Sequence, residues 1–184
     1  MNRLSKKLDE LKKQNKKALV AYLVAGDPDL DSTLDIMHMF VKSGVDVIEV
    51  GVPFTDPIAE GPIIQRAHDR AITKKTSLED IFKLITKFRL KDDETPIVLM
   101  GYLNAFIFFR HLIEENKNNS VDSILVVDIP GELNIADYGI KNENINTISL
   151  ISPTTKADRI KSIANNSSGF IYYVTLRGVT SSSN

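Results

Sequence analysis

Residues 45–65 read VDVIEVGVPFTDPIAEGPIIQ. The first part is an apolar, β-branched run, the composition of a strand buried on both faces. Glu49 interrupts it. By the period of two, Val45, Val47, Glu49 and Gly51 share one face, and Asp46, Ile48 and Val50 share the other. Glu49 therefore points where its apolar neighbours point. In such a setting desolvation penalises the charged form and raises a carboxyl pKa. A Glu poised nearer neutrality can both give and take a proton. A structural Glu satisfied by backbone N–H groups at a strand end fits the position equally well. The second part, GVPFTDPIAEGP, holds three prolines and two glycines around Glu60. Such a loop is stiff and sharply turned, and can hold a side chain over a pocket.

Similar apolar runs recur at Ala18–Val24, Ile97–Gly101, Ser123–Val127, Thr147–Ile151 and Gly169–Thr175. Helical patterns lie between them. Leu34, Met37 and Val41 fall on one face of 31–43, and Gly44 stops that helix. Ser77 to Asp80 reads as a capping box, followed by Ile81, Leu84, Ile85 and Phe88 at helical spacing. Thr155 to Asp158 reads as another helix start, and 104–117 as a helix. The amphipathic 2–14 places Leu4, Leu8 and Leu11 together. The alternation predicts an α/β fold with parallel strands. Both an open doubly wound sheet and part of a (β/α)8 barrel fit. Polar residues gather at the carboxyl ends of every strand: Glu49 and Asp128 end theirs, and Asp27, Tyr102, Asn104, Ser152, Thr154 and Thr180 follow the others. That distribution favours the barrel, whose sites form at the carboxyl ends of its strands.

Composition narrows the chemistry. The 184 residues include 42% hydrophobic and 26% charged residues, with a net charge of -1. These values suit a globular domain with no general drive towards nucleic acid or anionic membrane. Disulfides and thiolate metal sites are excluded, since there is no Cys. His38, His68 and His111 lie in helical patterns without metal-ligand spacing, and no strand core contains a Lys for a Schiff base. Carboxylates remain the best proton carriers. The absence of GxGxxG and GxxxxGK[ST] weakens nucleotide readings. The basic N-terminus lacks an apolar core, so a secretory signal is not expected, and a cytoplasmic location is.

The run EVGVPFTDPIAEGPIIQRA resembles the signature of the tryptophan synthase alpha subunit family. GDP at 26–28, PIVLMGYLN at 96–104, ILVVDIP at 124–130, SPTT at 152–155 and GFIYYVTLRGVT at 169–180 follow in that family's order. The resemblance implies a TIM barrel of which about six of eight βα units are present, as one incomplete domain over 1–184 with βα units from 18. It implies a lyase that splits indole-3-glycerol phosphate into indole and glyceraldehyde 3-phosphate in tryptophan biosynthesis. Glu49 matches the general acid–base. Glu60 matches the group that accepts the indole N–H, normally Asp. Tyr22, Tyr102, Asp128, Tyr172 and Thr180 match substrate-pocket or coupling positions, and Asp56 matches the contact with a beta subunit. The alpha chain would hold no cofactor and no metal. Pyridoxal phosphate is expected in the beta partner of a heterotetramer.

Four departures qualify this. Glu60 is one methylene longer than Asp. Ala21 and Val24 stand where the family usually has Pro and Thr. Ser181 stands where a Gly of a mobile loop is usual. The sequence ends at Asn184, before a seventh and eighth strand whose loops build the phosphate site of such barrels. Low activity of this chain alone is therefore expected, as are open sheet edges that invite aggregation. The alternative is a non-catalytic module that keeps only the beta-subunit surface.

Overall fold

The structure, a computed structural model, describes residues 2–116 and 120–175. Helix α1 (Arg3–Lys13) precedes six strands: β1 (Val20–Val24), β2 (Val47–Gly51), β3 (Ile97–Gly101), β4 (Ser123–Val126), β5 (Asn146–Ile151) and β6 (Ile171–Tyr173). They form one parallel sheet in sequence order. Helix α2 (Leu30–Lys42) joins β1 to β2. Helices α3 (Pro62–Thr73) and α4 (Leu78–Arg89) lie between β2 and β3. Short α5 (Leu103–Phe108) and α6 (Arg110–Glu115) follow β3, and α7 (Ala157–Asn166) joins β5 to β6.

Local sequence explains the helix ends. Asp29 caps α2 by accepting the Ser32 N–H at 2.7 Å, and Gly44 with φ +87° follows the last turn. Ser77 and Asp80 form the expected reciprocal box at α4. Two segments are helical as expected but differ in detail. The 104–117 segment is not one helix, because Phe109 leaves helical geometry (φ −102°, ψ 26°) and divides it into α5 and α6. Thr155 does not cap α7. Its hydroxyl accepts the Ser152 N–H at 2.9 Å instead, and Lys156 occupies the cap position.

The alternation within strands builds two apolar layers. On the outer face Ile48, Val50, Ile97, Leu99, Ile124 and Val126 pack with Met37, Ile81, Ile85 and Phe88 of the helices. On the inner face Val47, Val98, Leu125 and Ile148 meet Leu4 of α1. Helix α1 thus covers the inner layer near the amino ends of the strands. Its seat is polar. Asn2 caps the helix by accepting the Ser5 N–H, while its amide donates to the Asp122 carbonyl at 2.7 Å. The Asp122 carboxylate accepts from the Arg3 N–H, from Arg3 Nη1 at 3.3 Å, from Arg89 Nη2 at 3.0 Å and from the Ile97 N–H at 2.9 Å. One buried carboxylate therefore joins α1, α4, β3 and the start of β4. Burial pushes the Asp122 carboxyl above its ordinary range and the Arg89 guanidinium down to about 10.

Removing Asp122 leaves the buried Arg89 guanidinium with carbonyl partners but without this counter-charge. Asp122→Ala should lower stability by about 3–5 kcal/mol, because Arg89 keeps its charge without its partner. Asp93 also pairs with Arg3, but its side chain is 78% exposed. Asp93→Ala should cost less than about 1 kcal/mol. Urea unfolding of the two variants checks the contrast, and equal losses would contradict it.

Candidate active site

Glu49 lies in the middle of β2, paired in register with Tyr22 of β1 and Val98 of β3. It is 4% exposed, and its Oε1 has no hydrogen-bond partner among the described residues. The structural alternative, a carboxylate satisfied by backbone N–H groups, thus does not account for that oxygen. Burial lifts the carboxyl from 4.5 to about 7, and the charge of Glu60 adds to the rise. A group balanced between its two protonation states near neutrality is suited to proton transfer in either direction.

Glu60 is also 4% exposed, although it belongs to a loop. The loop is fastened from several sides. The Phe54 N–H donates to His68 Nδ1 at 3.1 Å, and the Ala59 N–H donates to Tyr102 Oη at 3.0 Å. The Phe54 and Tyr102 rings stack with centroids 4.6 Å apart. Gln65 donates to the Glu60 carbonyl at 2.9 Å. Pro62 then opens α3, where its missing N–H costs nothing.

Tyr22 lies within electrostatic reach of both carboxylates. Burial raises its phenol above the ordinary range, and the charges of Glu60 and Glu49 add to that. Its hydroxyl lies over Gly51, where a Cβ would come within 2.3 Å of it. Only glycine leaves that space. Val24, one of the β1 departures, packs with Ala67 and Ala71 of α3.

A cavity of about 920 Å³ opens beside these groups. Its apolar wall includes Met100, Leu125, Leu150 and Phe170, and its polar side includes Glu60, Ser152, Thr155 and Tyr172. Tyr172 is 40% exposed, and its phenol is raised by partial desolvation and by the charges of Glu49 and Glu60. Glu49, Tyr22 and Tyr102 are not among its lining residues. Asp128 is exposed, and its carboxylate accepts the Leu103 N–H at 2.8 Å, tying the end of β4 to the start of α5. Asp56 is exposed near Ile58 in sequence and accepts the Thr55 hydroxyl at 2.7 Å. Thr180 and Ser181 lie outside the described residues. Among the described residues no group of three or more potential ligands could hold a metal ion, and no helix is long and apolar enough to cross a membrane.

Period two from Val98 and Ser123 marks Met100 and Leu125 as inner-face positions, whereas no sequence spacing marks His68 as an acceptor for a loop amide.

The sequence profile described as "Tryptophan synthase alpha chain" matches residues 8–184. The chain belongs to the tryptophan synthase alpha chain family. It is 44% identical over 188 aligned residues to the tryptophan synthase alpha chain of Thiobacillus denitrificans, covering all of this chain and 68% of that one. Among solved structures, the tryptophan synthase subunit alpha of Legionella pneumophila superposes with a TM-score of 0.89 at 40% identity, covering 95% of this chain and 68% of that one. A structure of the tryptophan synthase a2b2 complex from Pyrococcus furiosus matches with a TM-score of 0.79 at 40% identity, covering 88% of this chain and 66% of the matched chain. The chain thus spans about two thirds of the length of these relatives, and its curled six-stranded sheet is the corresponding part of the family's TIM barrel.

The burial of Glu49 has a consequence for stability. The folded carboxyl holds its proton more tightly than the unfolded one, so Glu49 weakens the fold increasingly as pH rises from about 4.5 to about 7, and fully above that. Glu49→Gln should therefore be more stable than the parent at pH 8 by roughly 3 kcal/mol, with the gap closing near pH 4. Urea midpoints at the two pH values check this. A gap of the same size at both would show that charge burial is not its cause.

Proposed function

We propose that this chain acts in tryptophan biosynthesis as an alpha-subunit lyase, cleaving indole-3-glycerol phosphate to indole and glyceraldehyde 3-phosphate. The observation that carries the reading is Glu49, a buried carboxyl lifted to about 7, beside Glu60 and an apolar cavity, in a chain of this family.

The chemistry follows from the bond that breaks. Cleavage separates indole C3 from the glycerol carbon. Glu49 first delivers a proton to C3, and the cationic ring this creates takes up the electron pair of the carbon–carbon bond as it breaks. Loss of the proton from the hydroxyl on the glycerol carbon then forms the aldehyde as that bond breaks. The same carboxylate takes up this proton and is restored. Glu60 accepts the indole N–H and offsets the positive charge on the ring. Met100, Leu125, Leu150 and Phe170 supply an apolar surface for a flat aromatic ring. Tyr22 and Tyr172 place phenols beside both carboxylates, and Tyr102 acts through the Ala59 amide on the loop. Thr180 belongs to this proposal by its family position alone.

The proposed partner is the tryptophan synthase beta subunit, which would receive indole and carry pyridoxal phosphate. The alpha chain itself would need no cofactor. Asp56 belongs to the proposed contact, with exposed Ile58 and Phe108 as apolar candidates on the same end of the sheet. A cytoplasmic setting accords with this role.

Indole release from indole-3-glycerol phosphate, followed with and without beta subunit, tests the reading. Glu49→Gln should lower release at least ~100-fold, the ordinary contribution of a general acid–base group. Glu60→Asp should stay within about tenfold of the parent, because the carboxylate is kept and the loop absorbs one methylene, whereas Glu60→Ala should fall further. A chain that stimulates the beta reaction while releasing no indole would overturn the proposal in favour of a non-catalytic module.

A further inference from the structure

The geometry points to His68 as a positioning residue: it holds the loop 52–61 in the shape that sets Glu60 beside Glu49. This rests on the functional reading only in giving Glu60 its role.

His68 is 2% exposed on α3, where Ala67 and Ala71 are also buried. It does not touch the cavity wall. Its Nδ1 accepts the Phe54 N–H at 3.1 Å, while its Nε2 is buried without a partner among the described residues. Accepting a backbone N–H requires Nδ1 to be unprotonated, so the ring is the neutral tautomer with its proton on Nε2. Burial keeps the imidazole below its ordinary range and sustains that state.

The bond matters because of what it fastens. Val52 donates to the Met100 carbonyl, whereas Ile58 and Glu60 donate to carbonyls within the loop itself, so the ties from Phe54 and Ala59 are ones that reach outside it. Phe54 is held by His68, and its ring stacks on Tyr102. Tyr102 in turn holds Ala59, the residue before Glu60. A helix that begins immediately after the loop therefore reaches back to anchor the loop's entrance. The anchor passes through one aromatic stack to its exit. An isolated amide bond would need no such stack, nor a histidine buried with one nitrogen unsatisfied.

The test compares His68→Leu with His68→Asn in the same chain. Leu fills space without an acceptor; Asn places Oδ1 where Nδ1 stood. In His68→Leu, exchange of both the Phe54 and the Ala59 amides should accelerate about tenfold or more, while strand amides stay protected. The titration midpoint of the Glu49 carboxyl, followed by ¹³C NMR, should fall as Glu60 moves away. His68→Asn should restore both. Unchanged Ala59 exchange and an unchanged Glu49 titration in His68→Leu would overturn the inference and leave His68 a partner of one amide. If His68→Leu does not fold, His68→Ala takes its place: joint acceleration of exchange at Phe54 and Ala59 supports the inference, and acceleration at Phe54 alone overturns it. None of these readouts needs indole release. A chain that releases no indole yet shows them fails the functional reading and leaves this one standing.

Discussion

The carboxylate of Asp122 is the point at which the amino-terminal end of the sheet is assembled. It receives Arg3 from α1, Arg89 from α4 and the Ile97 N–H from β3. Without α1 the inner residues Val47, Val98, Leu125 and Ile148 would lose their cover from Leu4. The ion cluster is costly to bury, and it is offset because every acceptor direction of Asp122 is used. Its contribution is chiefly placement. It sets the end of α1 against the strands, so that apolar contacts can do most of the stabilising.

At the opposite end of the same strands the arrangement reverses. Glu49 is buried without enough partners, and a second carboxylate is held nearby. Such a site opposes folding, and a chain tolerates it only where other contacts compensate. Under the proposed acid–base role the cost has a purpose, since the same desolvation that weakens the fold moves the carboxyl into a range useful for proton transfer. Stability concentrated at one face and chemistry at the other is the division that barrel folds make possible.

The sequence discloses these two ends unequally. The strands are legible because parallel strands buried on both faces leave continuous apolar runs. Glu49 is legible because it breaks one. The βα order follows, and the signature loop identifies the family. Asp122 is not legible. It precedes an apolar run as any loop charge might, and its partners Arg3 and Arg89 are far away in sequence. His68 hides for a similar reason, because its helix pattern carries no hint of an amide fourteen residues earlier. Thr155 misleads in the other direction. The spacing to Asp158 imitates a cap, but its hydroxyl is taken by Ser152. The 104–117 pattern is helical at each end, and only the backbone of Phe109 shows the break.

The loop between the carboxylates shows why such errors gather near the site. Local propensity makes 52–61 stiff, but stiffness alone does not say where Glu60 points. That is settled by Tyr102 after β3 and His68 on α3, two elements whose positions depend on the finished sheet. A carboxylate on a longer arm than the family's usual Asp makes the same point. Its reach is fixed by chemistry, while its endpoint is fixed by the residues that hold Phe54 and Ala59. The side chain proposed to meet substrate and the side chains that aim it are therefore separate determinants. A change in arm length at Glu60 can be absorbed only through the residues that fasten its loop.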